Sequence, residues 1–102
     1  MRIEFPSKPL SETVNLAVDF ISRLASGELI ASASVAATLY SGTDTNPGAL
    51  VNGAASVSGS QVIQSITGGV LGNIYELAYT AVTTLAQRLV ITGYFAVVPD
   101  LP

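Results

Sequence analysis

The chain has no cysteine, no histidine and no tryptophan in its 102 residues. Without cysteine it has no disulfides and no thiolate metal sites. Without histidine it lacks the commonest transition-metal ligand and the usual general base near neutral pH. Charge is scarce as well. Only 11% of residues are charged, against about 25% in an average soluble domain. The basic residues Arg2, Lys8, Arg23 and Arg88 form no run, and the net charge is −3. A nucleic-acid binder needs a basic stripe, so that class is excluded. No residue from Thr45 to Tyr75 is charged, but Pro47, several glycines and many small polar residues interrupt that stretch. It never approaches the roughly 18 consecutive apolar residues of a membrane span. The opening "MRIEFPSKPL" has no apolar signal-peptide core.

What is present is alternation. In "GGVLGNIYELAYTAVTT" the apolar residues Tyr75, Leu77, Tyr79 and Ala81 recur at every second position, with Glu76 on the other phase. That is the period of a half-buried strand. "ETVNLAVDF" repeats it with Val14, Leu16, Val18 and Phe20. "LIASASVAATLY" places Leu29, Ala31, Ala33, Val35, Ala37 and Leu39 on one face and small polar residues on the other. In "QRLVITGYFAVV" both phases are partly apolar: Leu89, Ile91, Phe95 and Val97 on one, Val90, Tyr94 and Val98 on the other. "MRIEF" reads as a short first strand that Pro6 and Pro9 end. "SQVIQSIT" is a further short strand, and Asn52-Gly53 is a hairpin-type dipeptide. "ISRLASGE" has the spacing of one short helical turn near residues 21–26, and Asp19 and Arg23 sit four apart, as a local ion pair would.

About seven short strands separated by turn residues, with no long helix, predict an all-β, immunoglobulin-like antiparallel sandwich. The expected organisation is a single domain over residues 1–102, with 1–10 either a strand of that domain or an arm to a neighbour. Gly68, Gly69 and Gly72 can take positive φ without a Cβ penalty, which suits a tight crossing from one sheet to the other. Tyr75, at the start of the next strand, is then placed to fold its hydroxyl back onto upstream backbone. These four residues are assigned structural roles.

The residues offer no catalytic constellation. Glu4, Glu12, Asp19, Glu28, Asp44, Glu76 and Asp100 are scattered, and no spacing pairs two carboxylates across a cleft as glycoside hydrolysis requires. A serine nucleophile has no histidine, and the chain holds one lysine, Lys8. The glycine-rich loop is not followed by a helix start, so it is not a phosphate cradle. Asp44 in "SGTDTNPG" fits an Asx turn better than a calcium loop. No catalytic, cofactor-binding or metal-binding residue is expected, and no cofactor.

The segments "NLAVDFISRLASGELIASASVAATL" and "TGGVLGNIYELAYTAVTTLAQRLVITGYFAVV" resemble small immunoglobulin-like structural proteins of tailed-bacteriophage virions, of the capsid-decoration, head-fibre or connector type. The matching features are Asp19-Phe20, Leu24-Ala25, Gly27-Glu28, Ile30, the Gly68–Gly72 loop, Tyr75, Leu77, Ala81, Thr83-Thr84 and Arg88. Where many of that group carry tryptophan this chain has Phe20, and residues 43–59 have no counterpart. The resemblance implies a non-enzymatic virion protein, assembled in the host cytoplasm, whose partners are other virion proteins and copies of itself, with no nucleic acid and no membrane. Its leading form is a capsid decoration or cement protein on the outer shell, in contact with the major capsid protein. The alternatives are a head–tail connector or tail-associated ring component, and, lower, a fibre-tip adhesion or carbohydrate-binding module. The expected contact residues are Val90, Tyr94 and Val98, whose apolar phase needs cover, and Asp44, Asn46 and Pro47 in the long uncharged loop.

Overall fold

The computed structural model describes residues 2–100. They form eight strands: β1 (Arg2–Glu4), β2 (Lys8–Pro9), β3 (Val14–Asp19), β4 (Ile30–Ser41), β5 (Ser56–Ser58), β6 (Gln61–Ile66), β7 (Ile74–Thr83) and β8 (Arg88–Val98). Two 3-10 turns, Ile21–Arg23 and Pro47–Leu50, interrupt the connections. The larger sheet runs β1-β8-β7-β4, with β2 also on β8, and the smaller runs β3-β6-β5. The chain is therefore all-β and two-layered.

The alternation in the sequence becomes the core. Leu16 and Val18 from β3, with Phe20 just after it, meet Tyr75, Leu77, Tyr79 and Ala81 from β7 and Ile91, Phe95 and Val97 from β8, all buried. The Tyr79 hydroxyl donates to the Leu16 carbonyl at 2.7 Å. This bond ties the two sheets together and satisfies a polar group in an otherwise apolar layer. Burial pushes the Tyr79 pKa well up. Off these apolar phases, Asn15, Ser34 and Arg88 are exposed and Glu76 is half-buried.

The crossing between sheets lies where the glycines are. Gly68, Gly69 and Gly72 all have positive φ, at 71°, 100° and 86°. Gly69 is the constrained one: a side chain there would meet Val97 Cγ2 at 2.8 Å.

Five details depart from the sequence reading. The larger sheet is mixed, because β1 and β2 pair with β8 in parallel. Pro9 does not end pairing. It lies opposite Val98 at the sheet edge, where a missing N–H costs no ladder bond. In β4 the inward phase is Ile30, Ala33, Val35, Ala37 and Leu39, while Leu29 is 62% exposed and Ala31 also faces out. A register shift between Ile30 and Ser32 switches the phase there. The β5–β6 hairpin turns at Gly59-Ser60, not Asn52-Gly53. The latter stretch lies beside β6, where the buried Gln64 donates to the Gly53 carbonyl at 3.1 Å. Lastly, Asp19 accepts from Ile21 N–H (2.9 Å) and the Ser60 hydroxyl (2.6 Å) instead of pairing with Arg23.

Candidate functional site

The outer face of the larger sheet is built from the second phase of β4, β7 and β8. Its strand register sets four rows: Ser32, Val82 and Arg88; Ser34, Thr80 and Val90; Ala36, Ala78 and Thr92; Thr38, Glu76 and Tyr94. On these three strands the two middle rows contain no charge and no long side chain, while β1 continues the Thr92 row with Arg2 and the Tyr94 row with Glu4. Glu76 and Arg88 lie at opposite ends. Such a surface costs little to desolvate, because few charged groups must leave water.

At the Glu76 end this face becomes a groove. Tyr40 and Tyr94 lie with ring centroids 4.7 Å apart and planes tilted by 53°. They line a depression of about 350 Å³ with Phe5, Ile74, Phe95 and Ala96, and Glu4 and Ser7 complete its rim. Tyr40 is 60% exposed, while Tyr94 beneath it is half-buried. Phe5 reaches the groove because its N–H bonds to the Tyr94 carbonyl at 2.8 Å, continuing the β1–β8 pairing.

The expected contact residues divide into two groups. Val90, Tyr94 and Val98 share the outer phase of β8. Val90 is 43% exposed, Tyr94 is partly covered by Tyr40, and Val98 is half-buried opposite Pro9 at the strand end. The second group lies in the loop after β4, where Asp44 and Pro47 are half-buried and Asn46 is exposed. One Asp44 oxygen accepts from Asn46 N–H at 2.9 Å, forming an Asx turn, and the other accepts from the Tyr75 hydroxyl at 2.8 Å. Pro47 begins the 3-10 turn that buries Leu50. A second depression, of about 300 Å³, runs past Asp44, Asn46 and Gly68–Val70. Tyr75 faces the core and Tyr94 the opposite side of the same sheet, so the fold does not join the two groups into one surface.

Tyr75 holds the loop and the glycine crossing together. Its hydroxyl accepts from Val70 N–H at 2.9 Å and from Asn73 Nδ2 at 3.3 Å. Burial, and then the Asp44 carboxylate, raise its pKa. Gly42 is required beside this network, because a Cβ there would lie 2.0 Å from Asn73 Oδ1.

A separate clasp closes the end of the molecule near Lys8. This lysine is 1% exposed. Its ammonium donates to the carbonyls of Pro9 (3.0 Å), Leu10 (3.0 Å) and Gly68 (2.9 Å), so all three protons have acceptors. Asp100 accepts from Ser11 N–H at 2.8 Å alongside. Burial pushes the Lys8 pKa down, and the charges of Asp100 and Glu12 oppose that shift.

Reading the sequence alone did not find Tyr40, Phe5 or Ile74 as groove residues. Tyr40 lay in the polar phase of β4, and only the pairing of β1 with β8 brings Phe5 to Tyr94. Among the described residues no cluster of acids is placed to hold a metal ion. No helix is long and apolar enough to cross a membrane. What the site offers is a charge-poor, aromatic-edged surface suited to protein contact.

No curated protein matches the chain. A family model, described as podophage GP4 fiber-tail adaptor protein gp77, matches residues 8–93, from the buried Lys8 through the outer-face strands to Gly93. The chain therefore belongs to this podophage fiber-tail adaptor family, and with it to the structural components of the phage virion.

Proposed function

We propose that the protein is a non-enzymatic adaptor, a single β-sandwich domain that joins a fibre to the tail through the outer face of its larger sheet. The observation that carries this reading is the Tyr40–Tyr94 pair, 4.7 Å apart at the mouth of a groove beside Glu4 and Glu76, next to uncharged rows of β4, β7 and β8. Tyrosine is favoured at contact centres because it buries a large area at little cost in side-chain entropy. The uncharged rows beside the groove then exclude water around that anchor.

The family match supports the tail, not the outer shell. It thus favours the tail-associated alternative over capsid decoration, and fibre and tail proteins over the major capsid protein as partners. The mechanism is binding alone. A projecting apolar side chain from the partner enters the groove and stacks against Tyr40, and the partner's backbone lies over the flat rows beyond.

The test is a binding assay between the purified protein and the tail and fibre proteins of the same phage. Tyr40→Ala and Tyr94→Asp should each weaken one of these contacts by about 2 kcal/mol or more, roughly thirty-fold, as anchor residues do. Asn15→Asp, on the exposed phase of the other sheet, should bind normally. Undiminished binding by both tyrosine variants would remove the groove from the interface.

A further inference from the structure

We propose that the free edge of β4 pairs antiparallel with the same edge of a second copy of this chain, about a two-fold axis through Ala36. The result is one sheet continuing through two subunits. Among the described residues β4 pairs only with β7. The 3-10 turn Pro47–Leu50 and the short β5 pack beside β4, but neither pairs with it as a strand. Every second N–H and C=O along β4 therefore points away from the sheet, and such a row is a template for another strand.

The other edges are protected and this one is not. β1 and β2 are short, and Pro6 and Pro9 interrupt that edge. β5 has three residues. β3 ends in Asp19, whose carboxylate is held at the turn beside Ser60. β4 has twelve residues and no proline, glycine or charge. Its two register shifts fall at its ends, at Ile30/Ser32 and Leu39/Ser41, leaving a regular run between them. Proteins normally blunt a long edge with a charge, a proline or a central bulge, and β4 has none of these along its regular run.

The occupant follows from the side chains. Directly opposite residues in an antiparallel pair face the same side, so a two-fold axis must pass through a residue, not between two. With the axis on Ala36, Val35 lies opposite the partner's Ala37, and Ala33 opposite the partner's Leu39. Each larger inward residue thus meets a smaller one. On the outer face Ser34 lies opposite the partner's Thr38, a hydroxyl pair favourable across strands. A head-to-tail pairing of β4 with β1 would match twelve residues against three, which leaves most of the edge unpaired. A self-complementary edge gives a closed two-fold dimer.

The absence of cysteine makes the test specific. Ala36→Cys puts the only thiol at the axis, with direct cross-strand Cβ atoms about 4.5–5.5 Å apart, near disulfide range. On mild oxidation this variant should form a covalent dimer quickly, and exposed Asn15→Cys should form one slowly. Ser34→Cys mixed with Thr38→Cys should cross-link better than either variant alone, because those two positions face each other in this register. The unsubstituted chain should sediment as a dimer, and Ala36→Lys, which sets like charges against each other, as a folded monomer by circular dichroism. A monomeric unsubstituted chain would overturn the proposal. So would a dimer in which Ala36→Cys cross-links no faster than Asn15→Cys. Neither result bears on the Tyr40–Tyr94 groove, whose binding assay is separate.

Discussion

The ring of Phe5 fills the space that a side chain on Gly93 would need: a methyl group at Gly93 would sit 2.4 Å from Phe5 Cε2 and 3.0 Å from Cδ2 and Cζ. Phe5 also lies 5.9 Å from the buried Tyr79 ring. The glycine is thus a socket in β8 that seats the segment between β1 and β2. Gly93→Ala should destabilise the protein by about 1–3 kcal/mol, the usual cost of forcing an extra carbon into a packed site. Denaturant melts measure this. Phe5→Leu in the Gly93→Ala background should recover part of the loss by making room.

Lys8→Met should lower stability by about 3 kcal/mol. Its apolar stem keeps the packing, but three carbonyls lose their donor, and buried unsatisfied acceptors are costly. Amide exchange near β2 and the Gly68 loop should rise together, because one ammonium holds both. An unchanged melting midpoint would show that water replaces the ammonium at no cost.

Tyr75→Phe should cost about 1–3 kcal/mol, since Val70 N–H and the Asp44 carboxylate both lose a partner. Tyr40→Phe, on the exposed rim of the groove, should leave stability unchanged. Equal midpoints for Tyr75→Phe and the unsubstituted protein would show that the crossing holds itself.

Acid should destabilise the fold in a defined direction. The hydroxyl of Ser60 holds the Asp19 carboxyl below its ordinary value, the hydroxyl of Thr83 does so for Glu28, and the N–H of Ser11 for Asp100. Each lowered folded-state value means that the unfolded chain binds more protons in that range, so stability rises with pH there. The contribution is complete above the ordinary carboxylate values near 4. It is lost as the pH falls from there through the lowered folded values. Melts from neutral pH downward should show this loss, and Glu28→Gln with Asp100→Asn should flatten it.

The strands that were legible in the sequence are those with strong contrast between their faces. In β7, tyrosine and leucine alternate with polar or small residues, and in β3 Leu16 and Val18 alternate with Asn15 and Asp19. A single register satisfies either pattern. In β4 the contrast is alanine against serine, which is too weak to reveal the bulge at Ile30. A bulge is a property of the pairing and leaves no mark of its own in composition. Nothing in the sequence marks Lys8 or Gln64 as buried, because charged and amide side chains are usually solvated. Their burial depends on carbonyls contributed by distant loops. The groove was half legible: Tyr94 stood out on an apolar phase, whereas Phe5 joins it through a pairing that spans almost the whole chain.

That pairing also sets an order of events during folding. β1 and β2 lie parallel to β8, with Arg2 beside Thr92 and Pro9 beside Val98, so the first strands made at the ribosome must wait for the last. Bringing such distant segments together carries a large loop-closure cost until β7 and β8 have formed their hairpin. Until then Tyr94 has no Phe5 beside it and the groove has only one wall. The groove is therefore completed only when β1 docks on β8, and a chain lacking β8 would have no Tyr94, Phe95 or Ala96 to line it.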